Sequence, residues 1–363
     1  MSGNARWRWF PKPTRSRRDR IDQARFRMTR LFSDADVRTL LPMHECIDVM
    51  ADALQRVADG SSILPLRTVL RLPDSANAFA SMPGVDGSGD GASIGAKVIT
   101  VFPGNERTPF DSHIGVVLLF DAANGTLLAI ADASSITAIR TAAVSGLATR
   151  LLANPGASDL AILGAGVLAM PHLEAMCAVR PIRRVRVWSR SGTRAEEFAA
   201  RVRAAPMEAV RGVAVEVCAT AEAAVRDAQV VCTITGARTP VLEGAWLAPG
   251  AHVNAVGASM PAARELDTEA VVRSRLFVDR RESTLNEAGD FLIPKREGAI
   301  GDDHIVAELG EILLGRRGGR GGPGEITLFK SLGLAVEDVA ALRHIHGRAG
   351  AAGREVELGG RRH

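Results

Sequence analysis

The sequence predicts an α/β fold in which a region of antiparallel strands precedes a doubly covered parallel sheet. Three observations predict it. Five short apolar runs, "DLAILGAG", "RRVRVWSR", "AQVVCTITG", "AHVNAVGAS" and "RLFVDR", recur with helical segments between them. Strands alternating with helices form a parallel sheet buried on both faces. From Leu64 to about Ala131 the texture is instead strands and turns, with Asn124-Gly125 between two apolar runs. That dipeptide is a strong hairpin signal. Finally, Gly164-x-Gly166-x-x-Ala169 stands where the first strand of the repeat hands over to a helix.

The elements follow in order. "SDADVRTLLPMHECIDVMADALQRVADG" reads as one or two amphipathic helices, opened by Ser33 or Asp34 and stopped by Gly60. "LPLRTVLRLP", "NAFASMPG", "SIGAKVITVF" and "IGVVLLFDAANGTLLAIAD" are strands. "SSITAIRTAAVSGLATRLLANPG" is a helix with Ser134 or Ser135 as its cap and Pro155-Gly156 as its stop. After the five-strand repeat, "GRRGGRGGPGE" (315–325) is a Gly/Arg loop, and "AVEDVAALRHIHGRA" is a last helix before a polar tail.

At 363 residues the chain has room for two domains. No apolar run approaches the length of a membrane span, and the N-terminus carries no secretory signal pattern. Cys46, Cys177, Cys218 and Cys232 lack metal-site spacing, so no metal is expected and a reducing, cytoplasmic setting is. The net charge of +4 is uneven. Residues 1–30 hold ten Lys/Arg against Asp19 and Asp22, which is +8; the rest hold 35 basic against 39 acidic residues, which is −4. A mildly acidic body is a poor nucleic-acid binder. Residues 1–27 read as a basic, disordered extension, with the working protein beginning near Met28.

The glycine-rich turn points to a dinucleotide. Gly164 permits the tight turn, and Gly166 lets backbone N–H groups approach a pyrophosphate at the helix start. Val167 and Leu168 complete the turn, and alanine is accepted at the third place, Ala169. The second strand ends in "VWSRSGT", not in an acid that would bind a ribose 2′-hydroxyl. Ser189, Arg190 and Ser191 suit a 2′-phosphate, so NADP(H) is expected over NAD(H).

One lysine stands out. Only Lys12, Lys97, Lys295 and Lys330 are lysines among 45 basic residues, and Lys97 sits inside an apolar strand. Arginine stays charged, whereas a buried lysine can exchange a proton. Lys97 is thus a candidate for proton handling or substrate gripping. His113, His172 and His252 are scattered and are assigned no role.

With these residues in hand the chain resembles the ornithine cyclodeaminase/mu-crystallin family from about Met28 to about Ala349. "SMPG", "GAKVITVFPGN", "DASSITAIRTAAVSGLA", "ILGAGVLA", "WLAPGAHVNAVGAS", "RELD", "NEAGD", "ELGEILLG" and "EITLFKSLGLAVED" carry the match. Leu168 departs from the family's usual glutamine. The resemblance implies a Rossmann-type domain (138–315) inserted in a smaller α+β substrate-binding and dimerisation domain (28–137 plus 316–350), with a polar tail at 351–363 and a homodimer as the assembly. It implies that Arg67, Lys97 and Arg140 grip the substrate's carboxylate and imine region. Two guanidiniums would clamp the carboxylate, and their like charge would depress the pKa of Lys97. Thr235, Val256 and the "FKSLG" segment with Lys330 would face the cofactor.

The resemblance also divides the chemistry. Cyclodeaminases carry an aspartate after the "NAVG" strand, and the matching position here is Ser259. A hydroxyl cannot balance an ammonium or act as a carboxylate base. Ser259 and "SRS" together resemble the ketimine reductase branch, which reduces cyclic imino acids such as 1-piperideine-2-carboxylate or 1-pyrroline-2-carboxylate with NADPH. Ornithine cyclodeamination, an alanine dehydrogenase-like activity and a non-enzymatic ligand-binding role are the alternatives. Glu265 and Asp267, in the "RELD" motif, read as structural.

Overall fold

The computed structural model describes residues 28–205 and 210–358. The basic segment 1–27 lies outside the described residues. β1 (Thr29–Phe32) leads into α1 (Asp34–Leu40) and α2 (Met43–Ala58). β2 (Thr68–Arg71), β3 (Ala78–Asp86), β4 (Ser93–Val101), β5 (His113–Asp121) and β6 (Leu127–Asp132) follow, and α3 (Ala133–Leu152) carries the chain onward. Then come β7 (Asp159–Leu163), α4 (Ala169–Val179), β8 (Arg184–Trp188), α5 (Gly192–Ala204), β9 (Ala214–Val217), α6 (Ala221–Val225), β10 (Val230–Thr233) and β11 (His252–Ala255). α7 (Thr268–Val272), β12 (Ser274–Val278), α8 (Arg281–Glu287), α9 (Gly289–Arg296), β13 (Ile305–Glu308), α10 (Leu309–Leu313) and β14 (Ile326–Lys330) complete that region. α11 (Ala335–Arg348) and β15 (Arg354–Val356) end it.

Local chemistry explains the helix starts. Ser33 caps α1 and forms a capping box with Asp36. The buried stripe of α2, Met43, Cys46, Ile47, Met50 and Leu54, follows helical spacing. Asp132, rather than Ser134 or Ser135, caps α3: its Oδ1 accepts from the Ser135 backbone at 2.7 Å and from Ser135 Oγ at 2.6 Å. A carboxylate is the stronger acceptor at a helix N-terminus.

The strands form two sheets. The first has the order β15-β1-β6-β5-β4-β3-β2, antiparallel except where β1 meets β6. The second has eight parallel strands in the order β13-β12-β14-β11-β10-β7-β8-β9. Its run β9-β8-β7-β10-β11 is the doubly wound order, and the order reverses between β7 and β10. Ligands bind such sheets in the crevice at that switch point.

The expected five parallel strands are eight. β9 is an edge strand with alternating exposure, and β13 and β14 are too short for periodicity to assign them to a sheet. β14 lies between β11 and β12. Residues 326–330 therefore belong to the parallel sheet, not with the first region as the 316–350 boundary had it. The boundary at 137/138 falls inside the unbroken helix α3. The polar tail includes β15, which pairs Thr29 with Val356.

One packing detail positions the site. On the inner face of β4, Gly95 lies two residues before Lys97, and α11 packs against it. A Cβ at Gly95 would fall 2.7 Å from Val339 Cγ2 and 2.5 Å from the Leu118 carbonyl oxygen. Only glycine lets the helix come this close, and its first turn is thereby brought onto Lys97.

Candidate active site

Lys97 is buried, 3% exposed, and its ammonium is not free. Nζ pairs with Asp338 Oδ2 at 2.8 Å and approaches Thr137 Oγ1 at 3.5 Å. Asp338 stands in the first turn of α11, and its other oxygen accepts from Arg140 Nε at 2.9 Å. Arg140, from α3, also gives Nη1 to Glu337 Oε2 at 2.9 Å. Arg67 donates Nη2 to the carbonyls of Leu332 (2.8 Å) and Gly333 (3.1 Å), while Nε pairs with Glu287 at 2.9 Å. Asp279, at the end of β12, fixes the 332–333 turn by accepting the backbone N–H groups of Leu332 and Gly333.

The sequence reading found the cations and missed their carboxylates. Lys97, Arg140 and Arg67 converge, but each meets an acid from far along the chain. Two nitrogens on each guanidinium already serve protein acceptors. The arrangement therefore leaves three separate donor heads, not two vacant forks. This network holds the cations in place.

Burial is the main reason the Lys97 pKa falls to about 8. The positive charges of Arg140 and Arg67 add to it, and Asp338 opposes it. Like-charge repulsion, expected from sequence, is thus the smaller cause. Burial alone would raise the Asp338 carboxyl, but Arg140 and Lys97 outweigh it and hold Asp338 below the usual carboxylate range. Burial pushes Glu337 up to about 7, against the pull of Arg140.

The glycine-rich turn sits at the switch point. Gly164 has φ +114° and donates its N–H to the Trp188 carbonyl at 2.8 Å, and a Cβ there would lie 2.8 Å from the Ile234 carbonyl oxygen. Gly166 and Val167 are exposed, and nothing lies within 4 Å of where a Gly166 Cβ would be. Leu168 caps α4 and Ala169 begins it, buried. The residues present thus fit a dinucleotide pyrophosphate: a tight turn, open space and a helix N-terminus. Ser189 is half-buried at the end of β8, Arg190 is exposed, and Ser191 caps α5.

Across the crevice, Glu265 ties the ends of β10 and β11 together. It accepts from the Thr235 backbone (2.6 Å), Thr235 Oγ1 (2.7 Å), the Gly257 backbone (2.7 Å) and Thr233 Oγ1 (2.9 Å). Asp267 caps α7. Val256 is buried beneath this edge, and Ser259 is exposed just beyond it. Lys330, expected toward the cofactor, ends β14. It is 1% exposed, paired with Asp290 at 2.8 Å and bonded to the Ala255 carbonyl at 3.2 Å. Its charge serves the interior, because an unpaired buried ammonium would be costly.

His172 and His252 are buried and hydrogen-bonded, to Ser145 and the Leu168 carbonyl in one case and to Thr327 and Asn254 in the other. Among the described residues, no His/Cys/Asp/Glu cluster is placed to hold a metal ion. No helix among them is long and apolar enough to cross a membrane.

Comparison with known proteins agrees with this geometry. The model of the ornithine cyclodeaminase/mu-crystallin family matches residues 27–353. Mouse (Mus musculus) ketimine reductase mu-crystallin is 42% identical over 288 residues, covering 79% of this chain and 86% of its own. The structure of Thermococcus litoralis Delta(1)-pyrroline-2-carboxylate reductase in complex with NADH and L-proline is 36% identical, with a TM-score of 0.85, over 90% of this chain and all of that one. An archaeal alanine dehydrogenase dimer with bound NAD is 28% identical, with a TM-score of 0.83, over 91% of this chain and 99% of its own. With a Rossmann-type sheet, a glycine turn at its switch point and a family match over most of its length, the chain belongs to the ornithine cyclodeaminase/mu-crystallin family.

Proposed function

We propose that this protein is an NAD(P)-dependent oxidoreductase that reduces the C=N bond of small cyclic ketimines bearing a carboxylate. The observation that carries the reading is the buried Lys97 and Arg140, joined through Asp338 and near Arg67, in a chain that also carries a dinucleotide turn at its sheet's switch point. The two reductase relatives support it. The substrates are 1-pyrroline-2-carboxylate and 1-piperideine-2-carboxylate, and the products L-proline and L-pipecolate.

Bound at the glycine turn, the dinucleotide supplies the hydride. The chain's own residues do the rest. Lys97, Arg67 and Arg140 orient the carboxylate with their remaining donors, which fixes the imine carbon toward the cofactor side of the cleft. Lys97 in its protonated form also stabilises or donates the proton on the imine nitrogen. Ser259 offers no negative charge for a free ammonium, which disfavours cyclodeamination of ornithine. The test is product analysis: L-proline from 1-pyrroline-2-carboxylate supports the reading, and proline formed from ornithine instead would reject it.

The finer assignment is NADPH over NADH, resting on Ser189, Arg190 and Ser191 at the end of β8. Replacing Arg190 with alanine removes a charge-assisted contact worth roughly 1.5–3 kcal/mol. We expect KM for NADPH to rise by about tenfold or more, with KM for NADH unchanged. Equal effects on both cofactors would remove Arg190 from the 2′-phosphate site.

The assembly we propose is a homodimer. Among the described residues nothing covers the apolar outer face of the first sheet: Phe79, Ile94, Ile114 and Val116 are each exposed by 37% or more. Adjacent strands carry them on one side, and an exposed apolar patch of this kind marks an interaction surface. Val116→Asp is expected to shift the solution mass from two chains toward one. An unchanged mass would place the interface elsewhere.

A further inference from the structure

Glu337 is an unusual neighbour for a carboxylate-binding arginine. It is fully buried, and only one of its oxygens is well used: Oε2 accepts from Arg140 Nη1 and, at 3.2 Å, from the Leu334 backbone. Oε1 is buried and has no hydrogen-bond partner among the described residues. An ionised carboxylate with one oxygen bare in the interior is costly, whereas a proton on that oxygen lowers the cost by removing the charge. The charges around it are finely set. Arg140 from α3 stabilises its ionised form, while Asp338 beside it on α11 and Asp279, just after β12, oppose it. Lys97, from β4, pairs with the neighbouring Asp338, and the Cys46 thiol of α2 is close enough to feel the Glu337 charge.

A substrate carboxylate arriving on Arg140 changes this balance. It brings a further negative charge to the guanidinium that Glu337 depends on. We infer that binding of a carboxylate at Arg140 is accompanied by uptake of a proton at Glu337. The inference rests on the clamp reading given above. The proton comes from solvent and returns there when the carboxylate leaves. Glu337 makes no bond to substrate; it is a positioning residue that lets Arg140 exchange one anionic partner for another without net charge accumulating in the interior. A free-protein pKa near 7 leaves Glu337 mostly ionised at slightly alkaline pH, which is where uptake is measurable.

The test uses the full chain loaded with NADP+ and titrated with pyrrole-2-carboxylate, a planar ring carboxylate with no C=N bond to reduce. Binding heat is read in two buffers of different ionisation enthalpy, at a pH near 8. Uptake at Lys97 is common to wild type and Glu337→Gln, so the difference isolates Glu337. We expect wild type to take up about one proton more than the variant, since one group changes state. In wild type alone, the bound-minus-free infrared difference spectrum should gain a protonated-carboxyl stretch, so the idea stays testable if Glu337→Gln does not fold. Binding with equal uptake in both proteins, or with no such infrared band, would overturn the inference and leave the clamp intact. Absence of binding, or affinity unchanged in Arg140→Lys, would instead overturn the clamp reading itself.

Discussion

Replacing Lys97 with alanine is expected to abolish most turnover while leaving the dinucleotide bound. Lys97 lies on β4, in the first sheet, whereas the glycine turn lies at the end of β7 in the second. The two can therefore fail independently. A positioned proton donor contributes on the order of 10²–10⁴-fold to rate. Fluorescence titration with NADPH should give a Kd near that of wild type. On the proposed mechanism the protonated lysine is the working form, and burial is the main reason its pKa falls to about 8. The kcat/KM of wild type should thus fall as pH rises through about 8. Turnover retained in Lys97→Ala would remove the lysine from the mechanism.

Asp338→Ala is expected to be the most damaging change to stability near the site. Asp338 is fully buried and holds two cations at once, at 2.8 and 2.9 Å. Removing one partner of a buried ion pair costs about 3–5 kcal/mol, because the remaining charge is left uncompensated. Thermal or urea unfolding would measure this, and a loss below about 1 kcal/mol, as for an exposed pair, would contradict the network. Asp338→Asn keeps the shape and a hydrogen bond but removes the charge. Since that charge raises the Lys97 pKa, the alkaline fall in kcat/KM should move to lower pH. A merely structural role would lower activity without moving the limb.

How much was legible beforehand differs by residue. Lys97 could be found because one lysine in an apolar strand contradicts its local pattern. The glycine turn could be found because Gly164, Gly166 and Ala169 lie close together in sequence and carry their own mechanism. Asp338, Glu337 and Glu287 could not be found in the same way. Arg140 and Asp338 are 198 residues apart, and Arg67, just before β2, meets Glu287 at the end of α8. In "AVEDVAAL" the acids look like an ordinary acidic first turn of a helix, which is what most such residues are. Gly95 is the only local sign that the helix lies close to β4, and a glycine in a strand has other readings. β14 escaped for a similar reason. Its five residues are all buried, so periodicity says nothing about which sheet holds them. The motif that placed Lys330 toward the cofactor gave no sign of Asp290, with which its ammonium pairs.

The most direct test of the central claim follows NADPH consumption by the purified chain, offered 1-pyrroline-2-carboxylate and 1-piperideine-2-carboxylate. Ornithine with NAD is assayed beside them for ammonia. Rapid NADPH oxidation with at least one imine, and no ammonia from ornithine, is the predicted result, and the faster imine identifies the ring that fits. Ammonia from ornithine with neither imine reduced would contradict it and make the chain a cyclodeaminase.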